Sequence, residues 1–262
     1  MIRALSTAAS GMFAQQLHID NIANNLANVN TTGFKKSRTE FQDLIYQNLR
    51  EAGVPNSQGN VLPTELQVGH GVRPVATQKM MTQGDLLQTG NSLDMAIEGN
   101  GFFQIRRLDG SLGYTRDGSF KVSSEGVVVT ADGLTLEPSI TIPENTQSVQ
   151  ITRDGIFSAL IAGESEPVEV GAVEMASFIN SAGLRSIGQN LYVETSASGP
   201  ATVSTPGLDN LGTLAQGFLE GANVQVVEEM VDMITAQRAY EVNSRAIRAA
   251  DEMLQTATSI KR

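Results

Sequence analysis

The sequence predicts an α+β protein, with a long helix at each end pairing as a coiled coil and an all-β middle joined by an extended linker region. Three observations predict it. Both ends carry an apolar seven-residue repeat, the signature of a helix wound on a partner helix. Between them, the helical spacing gives way to short apolar runs separated by turn dipeptides. A stretch rich in Gly, Pro, Asn, Ser and Gln, residues 53–71, separates the first helix from most of those runs.

Taken in order, the first helix is read from Leu5, Met12, Ile19 and Leu26, seven apart, with Ile2, Ala9 and Ala23 on the companion seam. At 1.5 Å per residue the pattern spans roughly 42 Å. Asp20, Asn21, Asn24, Asn25 and Asn28 form a polar stripe, read either as a solvated face or as a surface that must meet other polar groups. The helix should end near Asn30, where Thr31-Thr32-Gly33 breaks it. Phe41, Leu44, Ile45 and Leu49 are spaced for a short helix or an extended apolar strip, and residues 53–71 then read as a loop. From Val72 to Gly217 the pattern is β: strands at 101–105, 127–130, 149–151, 156–160 and 168–173, with 191–193 the last clear one. Asp109-Gly110, Asp117-Gly118, Glu125-Gly126 and Asp132-Gly133 predict tight hairpins, with both turn residues at positive φ. The final helix occupies 222–262, free of Gly and Pro. Val226, Met233, Tyr240, Ile247 and Leu254 repeat every seven residues, Met230 adds a second seam, and Gln237, Ser244, Asp251 and Thr258 leave that seam polar. Such a helix would run roughly 55 Å, longer than a small domain needs, so something must cover its stripe. Two surface helices on a globular core would satisfy the periodicity; so would a terminal helix pair that joins an assembly.

Composition narrows the function. The chain has 262 residues, room for two or three modest domains, and a net charge of −10 that argues against a nucleic-acid partner. It has no Cys and no Trp, and no run approaches the roughly 20 apolar residues of a membrane span. The N-terminus lacks the unbroken apolar core of a cleaved signal, because Gln15, Gln16, His18 and Asp20 follow quickly. Catalytic chemistry has no foothold: His18 and His70 belong to no metal or triad spacing, and Gly99-Asn100-Gly101 is too little for a dinucleotide loop. Glu228-Glu229 and Asp251-Glu252 point about 100° apart on a helix and share no site. Glu241 and Arg245 form an i, i+4 surface pair.

The segment from Ala27 to Lys35 closely resembles the Ala-Asn-x-x-Thr-x-Gly-Phe-Lys signature of bacterial flagellar rod and hook proteins, through Ala27, Asn28, Thr31, Gly33, Phe34 and Lys35. Residues 89–103, with Asp94, Gly99, Gly101, Phe102 and Phe103, look like the family's entry into its β domain, and 114–120 like its next motif. Asn223-Val224, 229–234, 237–241 and 251–254 resemble the family's terminal helix. The matches follow the family's order over nearly the whole chain.

The resemblance implies a domain plan: 1–30 and 222–262 as the helical assembly domain, 31–71 as a connecting segment, and 72–221 as a β-rich outer domain. An insertion at about 46–69, with Gly53, Pro55, Asn56, Gly59 and Pro63, would be the segment that keeps distal rods straight. It further implies a structural, non-enzymatic subunit of the distal rod, polymerising into a straight tube that transmits torque from motor to hook. Leu5, Met12, Ile19, Leu26, Val226, Met230, Met233, Tyr240, Ile247 and Leu254 would be its assembly residues. Its partners would be further copies of itself, proximal rod proteins below, hook protein above, L- and P-type ring proteins around it, and the flagellar type III export apparatus. No cofactor, metal, nucleic acid or membrane insertion is implied. Its place would be the basal body, from periplasm to outer membrane, reached without a cleaved signal peptide. A proximal rod or short hook subunit, and a cell-wall-active enzyme docking through the same helices, are the alternatives. Helices that cannot bury their stripes alone are marginal in water, so the termini are expected to order on assembly.

Overall fold

A computed structural model describes residues 2–53, 63–163 and 166–260. The chain forms two compact units: Met1–Leu26, Ser37–Gln78 and Gln225–Arg262 make the first, and Ala27–Lys36 with Lys79–Val224 the second.

The first unit holds helix α1 (Ile2–Ala27), strands β1 (Ser37–Asp43), β2 (Tyr46–Arg50), β3 (Leu66–Gly69) and β4 (Val72–Lys79), and the terminal helix, α2 (Val226–Ile260). Strand β1 pairs with β4, so β4, expected in the outer domain, belongs here. The 41–49 stretch is extended, not helical: β2 and β3 form an antiparallel hairpin, with Tyr46 opposite Gly69. One arm, β3, lies within the 53–71 stretch read as a loop, with Val68 facing Gln47 and Gln67 facing Asn48 of β2. Helix α1 ends three residues earlier than expected, and Thr31 N–H bonds back to Asn28 O at 3.1 Å, closing a turn after it.

The two helices meet antiparallel at two places. A Cβ on Gly11 would lie 2.9 Å from the Asn243 amide nitrogen, and Asn25 Nδ2 donates to Glu229 Oε2 at 3.2 Å. Gly11 and Asn25 are two heptads apart, as are Asn243 and Glu229, so both meetings share one register. Among the described residues, α1 buries Ala8, Ala14, Ile22 and Asn25, and α2 buries Glu229, Ala236 and Ala250. Small side chains dominate because they let the helix backbones approach.

In the second unit, β5 (Leu86–Gln88), β6 (Met95–Glu98), β7 (Phe102–Arg106) and β8 (Leu112–Thr115) come first. Short strands β9 (Lys121–Val122), β10 (Val128–Val129) and β11 (Thr135–Glu137) precede β12 (Thr146–Ile151), β13 (Ile156–Ile161) and β14 (Val168–Ala172). Strands β15 (Met175–Ser177), β16 (Arg185–Gly188), β17 (Leu191–Val193), β18 (Thr202–Ser204), β19 (Thr213–Gln216) and β20 (Phe218–Glu220) complete it. The last three lie beyond 191–193, the last strand expected from the sequence. The main sheet runs β16-β17-β8-β7-β11-β10-β9, and β15 joins it between β7 and β18. A separate meander, β12-β13-β14, stands beside two strand pairs, β19-β6 and β20-β5.

Strand period explains the core. Successive side chains of β7 point to opposite faces, so Phe103 and Ile105 enter the main core with Met95, Ile97, Phe120 and Leu136. Phe102 enters a second cluster with Tyr114, Leu184 and Tyr192. Phe103 meets Phe120 edge to face at 5.2 Å.

Four hairpins share one turn. In 107–111, 123–127, 130–134 and 152–156 the fourth residue is a glycine whose N–H bonds back to the first residue's carbonyl at 2.9–3.0 Å. The first residue's N–H then bonds to the fifth residue's carbonyl at 2.8–3.0 Å. Only the glycine takes positive φ, which corrects the expectation of two such residues and identifies the three-residue loop with a glycine bulge. Asp117-Gly118 makes no hairpin; Gly118 instead lets the backbone lie against Met95, whose N–H it accepts at 3.1 Å.

Candidate assembly site

The residues singled out from the sequence fall into a helical set and a motif set. On α1, Leu5, Met12, Ile19 and Leu26 are half-buried, flanking a more buried line through Ala8, Gly11, Ile22 and Asn25. On α2, Met233, Ile247 and Leu254 are half-buried, whereas Val226, Met230 and Tyr240 are exposed. The second seam of α2 runs one residue before Met230, through Glu229, Ala236, Asn243 and Ala250. The bulky residues displaced from it stand in the open: Val227 is 75% exposed, Val242 62%, Val231 53%, Met230 52% and Ile234 48%. Val227, Met230, Val231 and Ile234 follow helical spacing, so they form one apolar ridge along the first two turns.

The Asn stripe is not simply wet. Asn25 Oδ1 accepts the Ser37 N–H and Asn25 Nδ2 donates to Ser37 O, both at 2.9 Å, in the manner of a neighbouring strand. Asn21 Nδ2 also donates to Ser37 O and to Thr39 Oγ1. The stripe's inner edge thus holds β1 on the helix.

In the second unit the motif segment is docked by its backbone and by a buried ion cluster. Gly33, at φ 66°, donates its N–H to Glu220 O at 2.8 Å, and a Cβ there would lie 2.6 Å from the Asp117 nitrogen. Phe34 is buried, with the Lys79 ammonium 4.8 Å from its ring centroid. Lys35 is fully buried; its Nζ donates to Glu220 Oε1 at 2.5 Å and to Thr82 O at 2.7 Å. Glu220 Oε1 also accepts the Gly84 N–H at 3.0 Å. Arg116 Nη1 lies 3.5 Å from Glu220 Oε2, and Arg116 Nη2 donates to Gly99 O at 2.6 Å. Two cations therefore share one carboxylate. Burial pushes the Lys35 ammonium below the usual lysine range, against the attraction of Glu220, and burial also lowers Arg116. Buried Tyr192 is pushed up to about 12, again mainly by burial.

Ala27 is exposed, while Asn28 Oδ1 accepts the Thr31 hydroxyl at 3.2 Å. Asp94 is buried and accepts from Thr89 and Asn91, capping its own turn. Gly99 and Gly101 both need positive φ, at 113° and 135°. Gly53 and Pro63 are exposed, and Pro55, Asn56 and Gly59 lie outside the described residues. Sequence reasoning missed Glu220 altogether and gave Arg116 no role. The one available signal was a lysine directly after a buried aromatic. Among the described residues, no group of three or more His, Asp or Glu is placed to hold a metal, and no helix is long and apolar enough to cross a membrane.

Three family models match the chain. Residues 5–35 match the flagella basal body rod protein, 96–159 the D1 domain of flagellar hook protein FlgE/F/G, and 215–260 the C-terminal part of flagellar basal body rod FlgEFG protein. The flagellar basal-body rod protein FlgG of Borreliella burgdorferi is 51% identical over 264 residues, covering all of both chains. The chain belongs to the flagellar basal-body rod protein family. The FlgG proteins of Buchnera aphidicola from Acyrthosiphon pisum and of Caulobacter vibrioides are 48% and 45% identical, each over 99% of this chain and all of the relative. As a family member the chain is a structural rod protein, and full-length identity of this kind does not favour the hook, proximal-rod or wall-enzyme alternatives.

Proposed function

We propose that this rod protein is a distal-rod subunit that polymerises head to tail into a straight helical tube, carrying torque from motor to hook. One observation carries the assembly step: the ridge of Val227, Met230, Val231 and Ile234, which its own chain leaves exposed. A contiguous apolar strip of this kind marks an interaction surface. Its closure on a neighbouring copy gains roughly 25 cal/mol per Å² of apolar area. The two helices continue their shared antiparallel register as a coiled coil in the assembled tube. The half-buried residues Leu5, Met12, Ile19, Leu26, Met233, Ile247 and Leu254 contribute to the helix pair, and Val226, Met230 and Tyr240 to contacts between copies. Proximal rod proteins, hook protein and L- and P-type ring proteins would be its neighbours, and the flagellar type III apparatus its export route, without a cleaved signal.

The β2–β3 hairpin, residues 46–69, is the segment we assign to straightness. Its removal should give curved polymers; straight ones would take that role away from it. The assembly reading is tested by electron microscopy of purified protein at rising concentration, beside a truncation lacking 222–262. Straight tubes from the full chain and none from the truncation are expected. If the full chain forms no tubes even when seeded on purified basal bodies, the reading fails.

A further inference from the structure

We propose that two asparagines, Asn223 and Asn25, are clamps that brace the chain where it passes between the two units. The chain passes between them four times, after Leu26, Lys36, Gln78 and Val224. Within the second unit, Asn223 gathers three of the emerging segments. Its Oδ1 accepts the Lys36 N–H at 2.7 Å, and its Nδ2 donates to Met80 O at 2.8 Å, Thr82 O at 3.1 Å and Thr82 Oγ1 at 2.9 Å. The backbone adds Asn223 N–H to Phe34 O at 3.4 Å and Met80 N–H to Lys36 O at 2.9 Å. Lys79 Nζ donates to Lys35 O at 3.2 Å, so segments 34–36, 79–82 and 223 are cross-linked without a single disulfide.

Within the first unit Asn25 does the same. It holds both backbone groups of Ser37, the residue after Lys36, and reaches Glu229, five residues after Val224. Asn25 is buried and sits in a helix, where Asn is a poor choice on propensity alone. A free tether of single bonds would absorb twist, whereas strands fastened together must move as a group. In a subunit that carries torque, which rests on the reading above, such bracing makes the segments that leave each unit bear load as a group rather than singly.

The test uses trypsin on the full-length unassembled protein, because Lys36, Arg38 and Lys79 place cleavable bonds at the crossings. Where opening is fast relative to cleavage, the cutting rate follows the population of the open form. Asn223→Ala is expected to raise cutting after Lys36 and Lys79 at least ten-fold, with sites at Arg106 and Lys121 unchanged. Asn223→Asp keeps the acceptor for Lys36 and loses the donor, so cutting after Lys79 should rise while Lys36 stays near the wild-type rate. Asn25→Ala should expose the bond after Arg38 and leave Lys79 alone; it also keeps the test alive if Asn223→Ala does not fold. Unchanged cutting at the crossings overturns the proposal. So does a parallel rise at Arg106 and Lys121, which would make the asparagines ordinary supports of the fold. Because the unassembled subunit is read, failure to form tubes leaves this result intact.

Discussion

Replacing Glu220 by Gln tests the buried cluster most sharply, because one carboxylate serves two cations. Glutamine keeps the shape and can still accept from Lys35 and Gly84, but it cannot neutralise either charge. Its amide would also face Arg116 Nη1, donor against donor, across the present 3.5 Å gap. Breaking a buried pair by removing one partner costs about 3–5 kcal/mol, and here Lys35 and Arg116, both essentially inaccessible, lose the same partner. Glu220→Gln should therefore fall near the top of that range at pH 7, lowering the thermal midpoint by about 10 °C for a unit of this size. Lys35→Met should be milder, at about 1–2 kcal/mol. It leaves a neutral Arg116–Glu220 pair, Glu220 keeps the Gly84 N–H, and Thr82 O keeps its bond from Asn223. The two variants also differ in pH dependence. Burial already holds Lys35 below its ordinary 10.5 while Glu220 pulls it up, so losing Glu220 lowers it further. The folded variant then binds fewer protons than the unfolded chain between that lowered pKa and 10.5. Its stability must rise with pH across that window, at up to about 1.4 kcal/mol per pH unit. The deficit of Glu220→Gln should accordingly shrink as pH climbs from the variant's lowered Lys35 pKa toward that of the wild type. Guanidinium unfolding followed by far-UV circular dichroism suits the measurement, since the chain has no Trp. A Lys35→Met variant as damaged as Glu220→Gln, or a deficit that ignores pH, would refute the one-anion, two-cation account.

Three further outcomes are expected. Gly33→Ala combines positive φ with a Cβ 2.6 Å from the Asp117 nitrogen, so it should cost more than about 2 kcal/mol; Gly53→Ala, also at positive φ but with open space around it, should cost only about 1. Differential scanning calorimetry of the pair separates strain from contact. Tyr192 is held protonated in the folded chain, so its contribution is complete below pH 10.0 and disappears as pH climbs to about 12. The loss is about 3 kcal/mol, and Tyr192→Phe should flatten that part of the stability profile. Val231→Glu with Ile234→Glu on the exposed ridge should change monomer stability by less than about 0.5 kcal/mol yet abolish tubes in electron micrographs; normal tubes would acquit the ridge.

The heptads of both terminal helices were legible because the period survives any partner. Which edge of each stripe faces inward was not. Periodicity favoured bulky Met230, whereas the helices approach through Gly11, Ala236 and Ala250, residues whose smallness carries no hydrophobic signal. An Asp-Gly or Glu-Gly step stands in all four like turns, the fourth at Asp154-Gly155, but the bulge geometry depends on the fifth residue closing the ladder. Asp117-Gly118 has the same letters and serves close packing against Met95 instead. The 41–49 stretch was ambiguous because its spacing fits a helix as well as a strand, and only the pairing of β1 with β4 and of β2 with β3 resolves it.

The sequence by itself determined the α+β class, the helical ends, the β middle and, through the motif at Ala27 to Lys35, the flagellar rod and hook family. Those properties are local: a period, a turn dipeptide or a short string of residues carries each one. The tertiary structure alone decided that Lys35, Arg116 and Glu220 form one ion cluster and that Asn25 and Asn223 hold distant backbone. Lys35 meets Glu220 across 185 positions of chain. A charge has no period and no fixed partner spacing, so its counter-ion is chosen by burial and geometry, which exist only once the sheet has closed around it.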